Sequence, residues 1–231
     1  MNFLGHTYVA LAADDDPIYV LGAVLPDLAS MARIRIDRVR SGDRLHEGIR
    51  CHIDSDAAFH GHPLFRQGSA AVRTDLVPLD LPLGASRAIG HIGWELLLDG
   101  TLVGSRTESA FHYALIEGER ALPAIVAGDQ ARWHGFLDRW RGLTDARLRY
   151  DEPTWVAERL YLMLQPRPRL AFPEEAVPDV AKVLEHHASA VADAAGDVLD
   201  AMVTAQGLAH RAATASPDAS DVAQLGHQPG S

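Results

Sequence analysis

The spacing of apolar residues is helical along almost the whole chain, and this feature constrains the fold most. Apolar residues recur every three or four positions in four long segments separated by proline or glycine. These segments are Gly84–Val103, Thr107–Val126, Gln130–Leu143 and Glu174–Leu208. Turn signals such as Leu25-Pro26 and His62-Pro63 interrupt the rest of the chain. Convincing alternation of apolar and polar residues, the pattern of a strand, is missing. The sequence therefore predicts an all-α fold.

The predicted domain organisation follows from the point where this periodicity stops. A chain of 231 residues is long enough for one large domain or two small ones, and no internal repeat divides it. From Ala212 onward the chain is rich in alanine, serine, proline and aspartate and has no apolar periodicity. We therefore expect a single helical domain over residues 1–211 and a disordered tail over residues 212–231.

Charge and composition exclude several classes of protein. The net charge of -10 disfavours a nucleic-acid-binding protein, which needs a basic face to displace counterions from phosphates. No apolar run reaches the roughly 18–20 residues of a membrane span. The N-terminus lacks the positive charge of a signal peptide, and the only cysteine, Cys51, fits a reducing compartment. We therefore expect a soluble, cytoplasmic protein with no nucleic-acid partner and no membrane span.

Six arginines lie close together in this acidic chain. They are Arg33, Arg35, Arg38, Arg40, Arg44 and Arg50. Such a cluster is either a solvated face or a local basic surface for an acidic partner. The residues themselves do not decide between these two interpretations.

Four apolar segments each carry a histidine or a carboxylate. His6 follows Phe3-Leu4-Gly5, and Asp27 follows Ile18–Pro26, a run without charged or amide residues. On a third segment, His52, Asp56 and His60 are spaced four residues apart, which places them on one stripe of a helix.

The fourth segment, residues 88–98, is apolar nearly all round and is expected to be buried. His91 and Glu95 lie one turn apart on it, and Asp99 follows one turn later as a further possible ligand. A buried carboxylate without a partner costs several kcal/mol, on the order of the desolvation penalty of a lone ion. An arginine, a protonated histidine or a metal ion must therefore compensate the charge of the Glu95 carboxylate.

Two interpretations of these polar residues remain. They are either core histidines paired with carboxylates, or the nitrogen and carboxylate ligands of a hydrolytic site with one or two metal ions between helices. No dinucleotide-binding, Walker, His-Glu-x-x-His, Gly-x-Ser-x-Gly or His-Asp motif is present. Cys51 adjoins His52 but points about 100° away from it on a helix, which disfavours thiol catalysis.

These residues resemble the acyl carrier protein phosphodiesterase (ACP hydrolase) family. Met1–His6 is similar to the family's opening Met-Asn-Phe-Leu-Ala-His, and Gly22–Asp27 to its Gly-Asn-Leu-Leu-Ala-Asp. Its Gly-Ile-x-x-His-x-x-x-Asp is matched by Gly48, Ile49, His52 and Asp56.

The resemblance continues further along the chain. Trp94-Glu95 is similar to the family's Trp-Asp, and Met163 with Arg167–Leu170 to its Met followed by Arg-Pro-Arg-Leu. His60 and His91 are departures, because the family carries aspartate at both places. The matches cover the first hundred residues and one short patch.

The resemblance implies a helical bundle distantly akin to HD-domain hydrolases, with a divalent metal site. It also implies hydrolysis of the phosphodiester that links 4′-phosphopantetheine to holo-acyl carrier protein. Because extra histidines favour borderline transition metals, we expect manganese, iron or zinc, as one or two ions. Acyl carrier proteins are acidic, so the Arg33–Arg50 cluster would be the docking face on this acidic chain.

We therefore predict a metal-dependent phosphodiester hydrolase. Asp27 or Glu95 would take a proton from water, and Arg167 and Arg169 would hold phosphate oxygens. The predicted metal ligands, or residues that orient them, are His6, Asp27, His52, Asp56, His60, His91 and Glu95. The alternatives are a non-catalytic helical protein that binds a metal or a partner, and a hydrolase of another phosphoester such as a phospholipid or a nucleotide.

Overall fold

The structure, a computed structural model, describes residues 1–38, 44–118, 126–127, 129–141 and 147–215. Within these residues the chain forms nine α-helices. They are α1 (Phe3–Ala13), α2 (Pro17–Met31), α3 (Arg44–Gly61), α4 (Pro63–Asp75), α5 (Leu83–Gly100), α6 (Arg106–Gly118), α7 (Gln130–Arg141), α8 (Pro153–Leu164) and α9 (Val177–Ala215). Single turns of 3₁₀-helix lie at Val77–Leu79 and Glu174–Ala176. The all-α prediction is confirmed, and the likeness to HD-domain hydrolases stays a prediction.

One short strand pair accompanies the helices. Strand β1 (Ile36–Arg38) pairs antiparallel with β2 (Val126–Ala127), and Ile36 lies opposite Ala127. The alternation of Ile34 and Ile36, both buried, with charged neighbours is the sequence signal for this strand. The helix predicted to reach Val126 is therefore wrong at its end, because Val126 belongs to β2.

The turn predicted at Leu25-Pro26 is also wrong, because α2 continues through Pro26. A proline inside a helix removes one backbone hydrogen bond and crowds the carbonyl four residues earlier, and the burial of α2 compensates for this cost. Asp16 caps the start of this helix, since its carboxylate accepts the amide of Ile18 at 2.8 Å, and Pro17 occupies the first helical position.

The chain divides into two compact units. The first contains Met1–Gly5, Asp56–Ser105 and Leu148–Met202, and the second contains His6–Ser55, Arg106–Arg147 and Val203–Ser231. The single domain predicted over residues 1–211 stays a prediction. Helix α9 runs to Ala215, past the predicted start of the tail, and residues 216–231 lie outside the described residues.

In the first unit α5 packs against α4 and α8. Gly90 allows the close approach of α4, because a Cβ there would lie 2.8 Å from the carbonyl oxygen of Ser69. Gly93 makes room for α9, because a Cβ there would lie 2.8 Å from the side chain of Leu184. Most of α5 from Ile89 to Asp99 is consequently buried, as its apolar sequence predicts. This packing fixes the part of α5 that carries His91 and Glu95.

In the second unit α2 packs against α6, and it also approaches α3 within backbone contact. Residues 19–25 of α2 are all buried, which explains the long apolar run that precedes Asp27. The burial of this run holds the end of α2, and with it Asp27, in place.

Candidate metal centre

Three helices of the second unit bring His6, Asp27 and His52 together. We call these three residues the His6 cluster. The Nε2 atom of His6 lies 3.6 Å from Asp27 Oδ2, and the Nε2 atom of His52 lies 4.0 Å from Asp27 Oδ1. The two imidazole rings stack with centroids 4.0 Å apart. One carboxylate therefore faces the Nε2 atoms of two histidines.

Hydrogen bonds at the opposite ring nitrogens assign the tautomers of both histidines. Nδ1 of His52 lies 2.8 Å from the carbonyl oxygen of Ala23, which can only accept, so this nitrogen carries the proton. Nδ1 of His6 lies 3.2 Å from the hydroxyl of Ser55, whose own proton is donated to the carbonyl of His52 at 3.1 Å. Ser55 therefore accepts from His6. In the neutral rings both Nε2 atoms then present their lone pairs on the side of Asp27.

A close crossing of α2 and α3 produces this arrangement. The Cα atoms of Gly22 and Gly48 lie so near that a Cβ on either glycine would be 2.9 Å from the Cα of the other. His52 lies one turn after Gly48, and Ala23 directly follows Gly22. The crossing thereby brings the carbonyl of Ala23 within reach of His52.

The separations in the His6 cluster fit the ligands of one cation. Two ligands held at about 2.1 Å from a common ion lie at most about 4.2 Å apart. The measured 3.6 Å and 4.0 Å fall within that limit, and the possible ligand atoms of all three residues lie close together. The cluster could therefore hold a metal ion.

A second group lies in the first unit and contains His60 of α3 with His91 and Glu95 of α5. We call it the His60 cluster. The two Nε2 atoms are 3.1 Å apart, and each lies 3.2 Å from Glu95 Oε1. Cis ligands of an ion with bonds of about 2.1 Å are separated by roughly 3.0–3.4 Å, so this triangle also has the dimensions of a metal site.

Asp56 lies behind His60 in this cluster. Its Oδ2 atom is 3.1 Å from His60 Nδ1, one helical turn away, which makes Asp56 an orienter of that ring. The amino group of Met1 contacts Asp56 Oδ1 and Glu95 Oε1, both at 3.3 Å. The two carboxylates therefore share a positively charged neighbour.

The charges of this cluster follow from its contacts. Burial by itself would raise the pKa of Glu95, but the Met1 ammonium, His60 and His91 outweigh burial and hold that pKa well below its usual range. Burial lowers the pKa of His60, whereas hydrogen bonds to Asp56 and Glu95 raise it more strongly, to about 9. At neutral pH Glu95 is thus an anion and His60 is a cation. A metal ion that bound here would replace the proton on His60.

Asp99, a possible ligand from its spacing, binds backbone amides in the structure. It is fully buried, and its carboxylate accepts the amide of Leu4 at 2.7 Å and that of Gly5 at 2.9 Å. These amides belong to the first turn of α1, where a helix has no acceptors of its own. Burial raises the pKa of Asp99 to about 7, and the two amides oppose this rise. Asp99 is therefore a helix cap.

The two arginines predicted to hold phosphate lie in the turn after α8. Both are exposed, and the backbone of Arg169 packs against Gly84 at the start of α5. Gly84 precedes His91 by about 10 Å along the helix axis. Among the described residues of the first unit, no hydrogen bond or ion pair joins Arg167 or Arg169 to the His60 cluster.

Acidic side chains already neutralise the charge of Arg44, one of the six arginines of the Arg33–Arg50 cluster. Arg44 forms ion pairs with Asp14 and Glu47 and lies 3.9 Å from Asp16. Arg40 lies outside the described residues. Because Arg44 is neutralised locally, the basic surface is smaller than the six arginines predict.

The sequence did not indicate the residues that fix the rings of the His6 cluster. Ser55 and the carbonyl of Ala23 have no motif, because a hydroxyl and a backbone oxygen become specific only when helices meet. Gly22 and Gly48 are visible in the sequence, and glycines on two apolar helices are a general signal for a close crossing. That signal could have predicted the contact between α2 and α3.

Cys51 is expected to resist alkylation in the folded protein. It is 3% exposed, and burial raises the pKa of its thiol to about 11, although a hydrogen bond with Tyr19 opposes this rise. Since only the thiolate reacts, iodoacetamide at pH 8 should modify folded protein at least about a hundredfold more slowly than urea-unfolded protein. Mass spectrometry of timed samples measures both rates, and equal rates would contradict the buried, protonated thiol.

Comparisons with protein-family models, with curated proteins and with solved structures find no match to this chain. Among the described residues, none of the helices has the length and apolar character that a membrane crossing requires.

Proposed function

We propose that this protein is a metal-dependent hydrolase of phosphodiesters and that the His6 cluster holds its cation. The observation that carries the proposal is the orientation of the two histidines. Each donates from Nδ1, His52 to the carbonyl of Ala23 and His6 to Ser55, so both Nε2 atoms are directed at Asp27. Outer hydrogen bonds of this kind are typical of metal-binding histidines.

Two imidazoles and a carboxylate suit manganese, iron or zinc better than magnesium or calcium. When bound, such an ion lowers the pKa of water toward neutrality and polarises a phosphoryl oxygen. Three protein ligands leave coordination positions for water and substrate.

We assign to Asp27 the removal of a proton from the attacking water. Its side chain is 31% exposed, whereas that of Glu95 is 11% exposed. Water therefore reaches Asp27 more readily. In this assignment Glu95 is a ligand of the other cluster.

The substrate class rests on the resemblance to the ACP hydrolase family, with holo-acyl carrier protein as the proposed partner. An acidic carrier would approach exposed arginines of the Arg33–Arg50 cluster, such as Arg33 and Arg50. Attraction of this kind mainly raises the association rate on a chain whose net charge is -10.

The test is an assay of protein loaded separately with Mn²⁺, Fe²⁺ and Zn²⁺. We expect at least one ion to support hydrolysis of bis-p-nitrophenyl phosphate and release of phosphopantetheine from holo-carrier protein, with chelated protein inactive. Hydrolysis of the small diester without the carrier reaction would favour another phosphoester, such as a phospholipid or a nucleotide. Metal-loaded protein that hydrolyses neither substrate would contradict the proposal and leave a non-catalytic metal-binding protein.

A further inference from the structure

We propose that the His60 cluster is a second cation site, which fills independently of the His6 cluster. The proposed hydrolysis needs only the His6 cluster. This inference therefore adds a second metal-binding site to the protein and does not change the proposed substrate. Its ligands would be Nε2 of His60, Nε2 of His91 and Oε1 of Glu95, and its cation a borderline divalent metal such as zinc or cobalt.

The first argument is the convergence of three possible ligand atoms. The three atoms form a nearly equilateral triangle with sides of 3.1, 3.2 and 3.2 Å. His60 is bonded through Nδ1 to Asp56, so its Nε2 carries a lone pair in the neutral ring. These separations match the roughly 3.0–3.4 Å between cis ligands of one ion, so a cation could take the place of the proton that joins His60 to Glu95.

The second argument is the rigidity of the two rings. The rings of His60 and His91 stack 4.9 Å apart at an angle of 23°. The buried ring of Phe65 packs edge-on against both, at 5.4 Å and 5.0 Å. Because packing already holds the ligands in place, a cation would bind without a large ordering cost.

The third argument is the exposure of this cluster. The side chains of His60 and His91 are 36% and 44% exposed, whereas His6 is fully buried. Solvent ligands can therefore complete the coordination of a cation at the His60 cluster. An ion in this position is expected to exchange with a chelator faster than an ion at the His6 cluster.

A direct titration tests the inference. Chelator-stripped full-length protein is titrated with Co²⁺, whose visible absorption reports nitrogen ligation, and bound metal is counted by elemental analysis after gel filtration. We expect two equivalents in the unmodified protein and one in His91→Ala. His186→Ala is the matched control, because His186 is an exposed histidine of the same unit outside the cluster, and it should retain two equivalents. His91 is nearly half exposed, so its replacement should leave the helical circular dichroism unchanged.

The outcomes separate this inference from the proposed function. If His91→Ala binds as much cobalt as the unmodified protein, the second site does not exist, and the His6 cluster is unaffected by that result. If His52→Ala keeps one equivalent that His52→Ala/His91→Ala loses, the second site is supported. If the unmodified protein binds one equivalent that His52→Ala keeps and His91→Ala loses, the site required by the proposed function fails while the second site stands.

Discussion

Replacement of Gly48 by alanine is expected to destabilise the protein by about 3 kcal/mol or more and to abolish metal binding at the His6 cluster. A Cβ at this position would overlap the carbonyl oxygen of Tyr19 and lie 2.9 Å from the backbone nitrogen of Ala23. Both neighbours are backbone atoms of α2, so they cannot rotate away as a side chain could. Helices α2 and α3 must therefore separate, and the bond from His52 to the Ala23 carbonyl breaks.

A second glycine provides the control for this substitution. A Cβ at Gly196, in α9, would have no packing neighbour within 4 Å in the described part of the chain, and the backbone there is helical. Gly196→Ala should therefore be neutral or stabilising by up to about 1 kcal/mol, because alanine restricts the unfolded chain. Urea unfolding followed by circular dichroism measures both variants. A Gly48→Ala variant as stable as Gly196→Ala would contradict the close crossing.

The second large effect is expected for His52→Ala. The substitution removes one of the three proposed ligands together with the bond to the Ala23 carbonyl. Loss of only an outer partner of a metal-bound histidine costs about 10–100-fold in metal affinity, so loss of the ligand itself should cost more than a hundredfold. Hydrolysis of a small diester should fall at least as far, because no other described residue of the second unit replaces this nitrogen.

Ser55→Ala is a graded counterpart of that variant. It keeps all three proposed ligands and removes the acceptor of His6 Nδ1, together with the bond that Ser55 donates to the carbonyl of His52, so metal affinity should fall by about 10–100-fold. Isothermal titration with Zn²⁺ ranks the unmodified protein, Ser55→Ala and His52→Ala. Equal affinities for all three would show that the imidazoles bind no metal.

The sequence was most informative about residue types and least informative about which helices meet. Apolar periodicity predicted the all-α fold, because burial of one helical face requires that spacing. Spacing within a helix likewise placed His91 and Glu95 one turn apart. It could not show that His60 joins these two residues while His52, on the same helix, faces Asp27.

Backbone groups explain the rest of the difference. Asp99 looked like a further possible ligand, but in the structure it accepts the amides of Leu4 and Gly5. The first backbone amides of any helix have no acceptor within the helix, whatever the sequence, so no residue type marks them. Pro26 similarly indicated a turn, yet α2 continues through it, because burial of the helix outweighs one missing hydrogen bond.

The metal content of protein purified without an affinity tag tests the central claim most directly. We expect at least one equivalent of manganese, iron or zinc per chain. His52→Ala should contain one equivalent less, whereas His46→Ala, a histidine of the same helix outside both clusters, should match the unmodified protein. Metal-free unmodified protein that binds none of these ions on reconstitution, with His52→Ala equally stable, would contradict the claim and leave His6, Asp27 and His52 as a paired core.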